Sequence, residues 1–186
     1  MFPKDNLTRS PHLIVVSKEQ STCPLIADMT RLGARLHDLG IPDTTPAILS
    51  YDYGRRLLVT ANHADAKTLH QEDIVEIVDY NPLKDIMLTI GPKDPNPDAP
   101  LQWMIQKARH DINITLHIQD PTLAQHLPAT IPHITDPLPA TTIDKAKTIL
   151  KALRTSPVIA IDTQGILLIG VNAKTIEHLL STTLKT

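Results

Sequence analysis

The chain has 186 residues, the size of one ordinary domain and long enough to bury a core. A composition 41% hydrophobic and 20% charged excludes a disordered segment. The formal net charge of −2, with no basic block, argues against a nucleic-acid binder, and no apolar run approaches the roughly 20 residues of a membrane span.

His12-Leu-Ile-Val-Val16 reads as a short buried strand inside an N-terminal extension, residues 1–22. Pro24 to Leu39 reads as a helix, because Leu25, Met29, Leu32, Leu36 and Leu39 recur at helical spacing. Ser21 and Thr22 are its capping candidates, and Gly40 with Pro42 marks its end. Ala47–Asp52 and Leu57–Ala61 form a hairpin around Tyr53-Gly54-Arg55, and a helical turn follows at Ala66–His70. The β-branched content of Ile74–Asp79 and Ile86–Ile90 favours two further strands.

Residues 91–100 carry four prolines and must be a loop. Pro100 suits the first turn of a helix to Arg109, with Leu101, Met104, Ile105 and Ala108 on its apolar face. Ile112 to Gln119 alternates strictly: Ile112, Ile114, Leu116 and Ile118 face one way, and Asn113, Thr115, His117 and Gln119 the other. Then come a short helix at Thr122–Leu127, a weak strand at Ile131–Ile134 and an amphipathic helix at Thr142–Arg154, capped by Thr141 or Thr142. Strands at Val158–Ile161 and Ile166–Ile169 flank Thr163-Gln164-Gly165, and a last helix runs from Ala173 to the end. No repeat or linker interrupts the pattern. The expected fold is therefore α/β: one domain over 1–186 with a mixed, mostly antiparallel central sheet flanked by helices.

The single cysteine, Cys23, cannot form an internal disulfide, and no apolar h-region follows Met1-Phe2-Pro3-Lys4-Asp5. Both features point to a reducing, cytoplasmic setting.

The order helix, hairpin, Leu57-Leu-Val-Thr60, Glu72-Asp-Ile-Val-Glu-Ile77, proline loop and PLQWMIQKARHDINITLHIQDP resembles the class II aldolase/adducin family over about residues 24–121. The likeness resumes at SPVIAIDTQGILLIGVNAKTIEHLL, from Ser156. The resemblance implies a fuculose-phosphate-aldolase-like protein. Enzymes of that family hold Zn²⁺ with three histidines, two of them in an H-x-H on a strand; a loop glutamate does the proton work, and a Gly-Asn-x-Ser turn grips phosphate. The metal acts there as a Lewis acid.

Carried over, His117 matches the first histidine, Gln119 replaces the second, Gln164 replaces the third, and Asp98 replaces the glutamate, 19 residues before His117. The phosphate turn reads Ala47-Ile48-Leu49-Ser50, keeping only Ser50. Thr60 survives, but the Pro-Ser-Gly after it reads Ala61-Asn62-His63, and two serines before the glutamate read Asn96-Pro97. The stretch between the second and third ligand positions is short and lacks the segment that carries a catalytic tyrosine in some relatives.

A glutamine carbonyl is a poor zinc donor, and the set His117, Asp98, Gln119 and Gln164 offers one imidazole and one carboxylate. The expectation is a protein without zinc-dependent sugar-phosphate aldolase activity, retaining a ligand-binding or subunit-interaction role. The candidates are Asp98 and His117 as catalytic groups and Ser50, Thr60, His63, Gln119 and Gln164 as ligand contacts; no cofactor is assigned. The alternative is an active carbon–carbon lyase on a small phosphorylated sugar or aldehyde. It would use a weakly bound divalent metal (zinc in the family) or metal-free acid–base chemistry at His117 and Asp98. The resemblance also implies a homo-oligomer, a tetramer in most relatives, and a small sugar-phosphate-like ligand; the charge and the short apolar runs leave no nucleic acid or membrane as partner.

Plainer readings stand beside these. His117 and Gln119 can be an ordinary polar strand face, Asp98 a solvated turn residue, His63 a surface histidine and Gln164-Gly165 a turn. Arg55 and Arg56 read as a solvated hairpin tip or an anion contact, Trp103 as packing or interface, and Cys23 as structural.

Overall fold

The computed structural model describes residues 11–184. The reading of Met1–Asp5 and the last two residues of the C-terminal helix lie outside this range. The strands among the described residues are β1 (His12–Ser17), β2 (Ala47–Tyr53), β3 (Arg56–Thr60), β4 (Ile74–Asn81), β5 (Ile86–Ile90), β6 (Ile114–Ile118), β7 (His133–Ile134), β8 (Val158–Ile161) and β9 (Gly165–Gly170). The helices are α1 (Ile26–Arg35), α2 (Ala99–Ala108), α3 (Pro121–Gln125), α4 (Thr142–Ala152) and α5 (Ala173–Thr183).

All nine strands form one sheet in the order β1-β5-β4-β3-β2-β6-β9-β8-β7. Only β1/β5 and β7/β8 pair in parallel. The sheet is thus mixed and mostly antiparallel, as the sequence pattern indicates. Helices cover both faces. On one, Met29, Leu32 and Leu36 from the first helical segment and Ile176 and Leu180 from α5 pack on Leu49, Leu58, Leu116 and Leu168. On the other, Leu101 and Ile105 of α2 and Ala146 and Ile149 of α4 pack on Ile159, Ile161, Leu167 and Ile169. Burial on both faces explains why β8 and β9 read as unbroken apolar runs.

Several local expectations change. β1 is not buried: it lies at the sheet edge, and Ile14, Val15 and Val16 are exposed. The first helix begins at Ile26 with no side-chain cap. Ser21 does not cap it, because its hydroxyl instead donates to Glu76 Oε2 at 2.6 Å. The helix closes where Gly40 turns at φ 99° and Ile41 N–H returns to the Leu36 carbonyl, a Schellman-type stop. Arg56 is not a free tip residue: Nη1 donates to the buried Glu76 carboxylate at 2.5 Å. The alternation in β6 starts at Ile114; Ile112 precedes the strand and packs in the α2/α4 cluster. Trp103 is a core residue under β3 and β4, with Lys107 Nζ 4.9 Å from the ring centre. Cys23 is buried, and burial pushes its thiol up, which suits an inert structural role.

Candidate functional site

Asp98 sits at the N-cap of α2, where Pro100 occupies the first turn. Its carboxylate makes no capping bond and reaches across to β6 instead, where Oδ2 lies 3.1 Å from His117 Nδ1. The loop that delivers it is pinned rather than free. Asn96 Nδ2 donates to the Thr60 carbonyl at 2.7 Å, and Asn96 Oδ1 accepts from Asp98 N–H at 2.9 Å. Ala61 bridges Pro95, and Asn62 N–H donates to the Asp94 carbonyl.

Burial pushes the Asp98 carboxyl up, but the hydrogen bond and charge of His117, with Lys145 beyond, outweigh it and hold the group below its ordinary value of 3.8. An ionised Asp98 can only accept, so His117 carries its proton on Nδ1. In the neutral ring Nε2 is then a bare lone pair, buried and without a hydrogen-bond partner among the described residues.

A cavity of about 460 Å³ lies in front of this pair, walled by Ile48, Asn62, His63, Asp98 and Gln119 among others. His63 lies at its rim with a left-handed backbone, φ 61°. Gln119 is exposed, while His117 is only 5% exposed and lies behind Asp98. The fold therefore gathers Asp98, His117, His63 and Gln119 at one end of the sheet.

It does not bring the remaining candidates to that cavity. Ser50 is fully buried, its Oγ 2.5 Å from Thr115 Oγ1 and accepting from Gln106 Nε2 at 2.8 Å. Thr60 is equally buried, its Oγ1 exchanging hydrogen bonds with the Leu49 backbone. Gln164 lines a separate cavity of about 560 Å³ beside Thr141 and Lys145. Two residues outside the sequence-based set matter here. Asn96 positions Asp98, and the Asn-Pro-Asp turn signal was its legible trace. Lys145 adds charge near Asp98 from α4, and nothing in its helical spacing marks it.

The donors do not fit a zinc cage. Among the described residues no group of three His, Cys, Asp or Glu side chains converges on one point. One nitrogen of His117 is committed to Asp98 and the other is sealed, while Gln119 and Gln164 open on different cavities.

Comparison with known proteins places the fold. An L-fuculose 1-phosphate aldolase structure superposes with TM-score 0.64 at 16% identity, covering 88% of this chain and 86% of that one. The chain has the class II aldolase fold. The L-fuculose-1-phosphate aldolase of Thermus thermophilus gives TM-score 0.64 and 16% identity, over 87% of this chain and 91% of that one. The N-terminal class II aldolase domain of a conserved protein from Thermoplasma acidophilum gives 0.62 and 14%, over 91% and 94%. No family model matches the sequence, and no curated protein matches it. At these identities the class II aldolase likeness is one of fold.

Proposed function

We propose that this chain keeps the class II aldolase fold for binding, of a small sugar-phosphate-like ligand or a partner subunit, without zinc-dependent aldol cleavage. The observation that carries this reading is the fate of the one imidazole at a family ligand position. His117 is spent on Asp98, and glutamine stands at the other two positions, Gln119 and Gln164. The cavity in front of Asp98 has no phosphate turn; Asn62, Asn96 and Gln119 are its amide walls, beside the Asp65 and Asp98 carboxylates. We assign the protein to the cytoplasm as a homo-oligomer, with residues 1–22 as an extension of one domain; the single cysteine and the fold support this. No helix among the described residues is long and apolar enough to cross a membrane.

A second reading is favoured by the Asp98–His117 hydrogen bond. Of the two, Asp98 lines the cavity and the buried imidazole orients it, so metal-free proton transfer next to a carbonyl is chemically available to a lyase with the Asp98 carboxylate as base and His117 behind it. One experiment addresses both. Protein purified without chelator is analysed for metal and then melted with L-fuculose 1-phosphate, with turnover followed in parallel. The expected outcome is substoichiometric zinc and a ligand-dependent rise in melting temperature that His117→Ala removes, without cleavage. Zinc near one per chain, lost in His117→Ala, overturns the proposal; cleavage without metal selects the second reading.

A further inference from the structure

The cavity that Gln164 lines, about 560 Å³, carries an inference independent of the Asp98–His117 pair. Its volume is typical of small-molecule sites. Several elements build it. Thr142 and Lys145, three residues apart, share one face of α4. The turn between β8 and β9 brings Gln164, and the turn between β4 and β5 brings Asp85. Pro82, Leu138 and Pro139 add apolar surface.

Among the described residues, Lys145 is the one cation on this wall and Asp85 the one anion. Neither has an ion-pair partner there, and they do not reach each other. The Lys145 ammonium makes no hydrogen bond within the described residues. Asp98 senses its charge, but Asp98 is spent on His117 and lines the other cavity. The Asp85 carboxylate accepts from the Tyr80 hydroxyl at 2.9 Å through Oδ1, which leaves Oδ2 open.

The neutral groups divide in the same way. The Thr141 hydroxyl is engaged with Asp144, whereas the Thr142 hydroxyl and the Gln164 side-chain amide have no partner among the described residues. Thr142, Lys145, Gln164 and Asp85 are all half-buried, and their unpartnered polar atoms are open to solvent rather than sealed. The cavity therefore offers an ammonium with a hydroxyl and an amide beside it, a separate carboxylate, and an apolar surface.

We propose that this cavity binds a small zwitterion of the amino-acid kind, its carboxylate on Lys145, Thr142 and Gln164, its ammonium on Asp85, and its carbon chain against Leu138 and the prolines. A simple anion would gain Lys145 but meet Asp85 in repulsion. A simple cation would gain Asp85 and be repelled by Lys145. Only a ligand charged at both ends serves two opposite charges that do not neutralise each other across the cavity.

The test uses the full chain, by calorimetry and thermal shift. Glycine, 4-aminobutanoate and 6-aminohexanoate are the probes, and butanoate and butylammonium are the singly charged controls. The expected result is saturable binding of at least one zwitterion, at least tenfold tighter than either control. Lys145→Met and Asp85→Asn each weaken it by about tenfold or more. His117→Ala leaves it unchanged, which separates this site from the one at Asp98. Both variants should fold: methionine keeps the lysine's apolar stem, and asparagine accepts the left-handed backbone of Asp85, φ 52°. No saturable binding of any of the three zwitterions, a control that binds as tightly, or binding undiminished in either substitution overturns the proposal.

Discussion

At the scale of single residues, Asp98 and His117 define each other's chemistry. The carboxyl lies below 3.8 in the folded chain because the imidazole outweighs burial. A lowered folded value means that the pair's stabilisation is complete above the unfolded carboxylate range near 4. It is lost as pH falls through the folded value. Removing the imidazole reverses the sign. In His117→Ala burial is left as the dominant influence, so the Asp98 carboxyl should titrate at or above 3.8 and cost stability at neutral pH. Carbon-detected NMR titration of the Asp98 carboxyl checks this; an unchanged midpoint in His117→Ala would show that the hydrogen bond does not set it. The pairing itself was only half legible in the chain. The 19-residue spacing marked both members, but whether Asp98 would cap its own helix or reach across depends on Asn96 holding the loop to Thr60, a long-range tie that no local pattern encodes.

At the scale of elements, the turn into β9 governs the strand that carries His117. Gly165 has φ 133°, and a Cβ there would sit 1.9 Å from the Ile118 carbonyl oxygen and 2.7 Å from Asp120 N. These are backbone atoms at the end of β6 and the start of α3, and they cannot step aside as a flexible side chain would. Gly165→Ala should therefore destabilise by about 3 kcal/mol. For a chain of this size that is a fall of roughly 10 °C in melting temperature. Differential scanning calorimetry measures it, and a fall under about 2 °C would mean the turn is more pliant than the contacts imply.

The elements themselves were largely readable, because β-branched runs and helical spacing of Leu and Ile are local signals: α2, α4, β8 and β9 lie within a few residues of the pattern. Errors arose where a distant partner captured a residue. Ser21 resembles a helix cap by sequence but is drawn to Glu76, which also takes Arg56. Ser50 resembles a phosphate ligand by position but closes a hydroxyl–amide network between β2, β6 and α2.

At the scale of the whole molecule, cavities open at opposite ends of β2 and β6, each lined by both carboxylates and amides. If the proposed oligomer exists, size-exclusion chromatography with light scattering should return an integral multiple, two or more, of 20.5 kDa. A mass equal to one chain at micromolar concentration would remove the subunit-interaction half of the functional proposal and leave the ligand half standing.

The parallel pairing of β1 with β5 has a consequence for how the protein is made. His12 meets Ile86, so β1 leaves the ribosome well before its mate β5 and waits unpaired until translation has passed it. During that interval Ile14, Val15 and Val16, which stay partly exposed even in the finished fold, travel as a naked apolar ribbon. The nascent chain is thus most prone to stick to its neighbours early in synthesis, and slow elongation between β1 and β5 would lengthen that hazard.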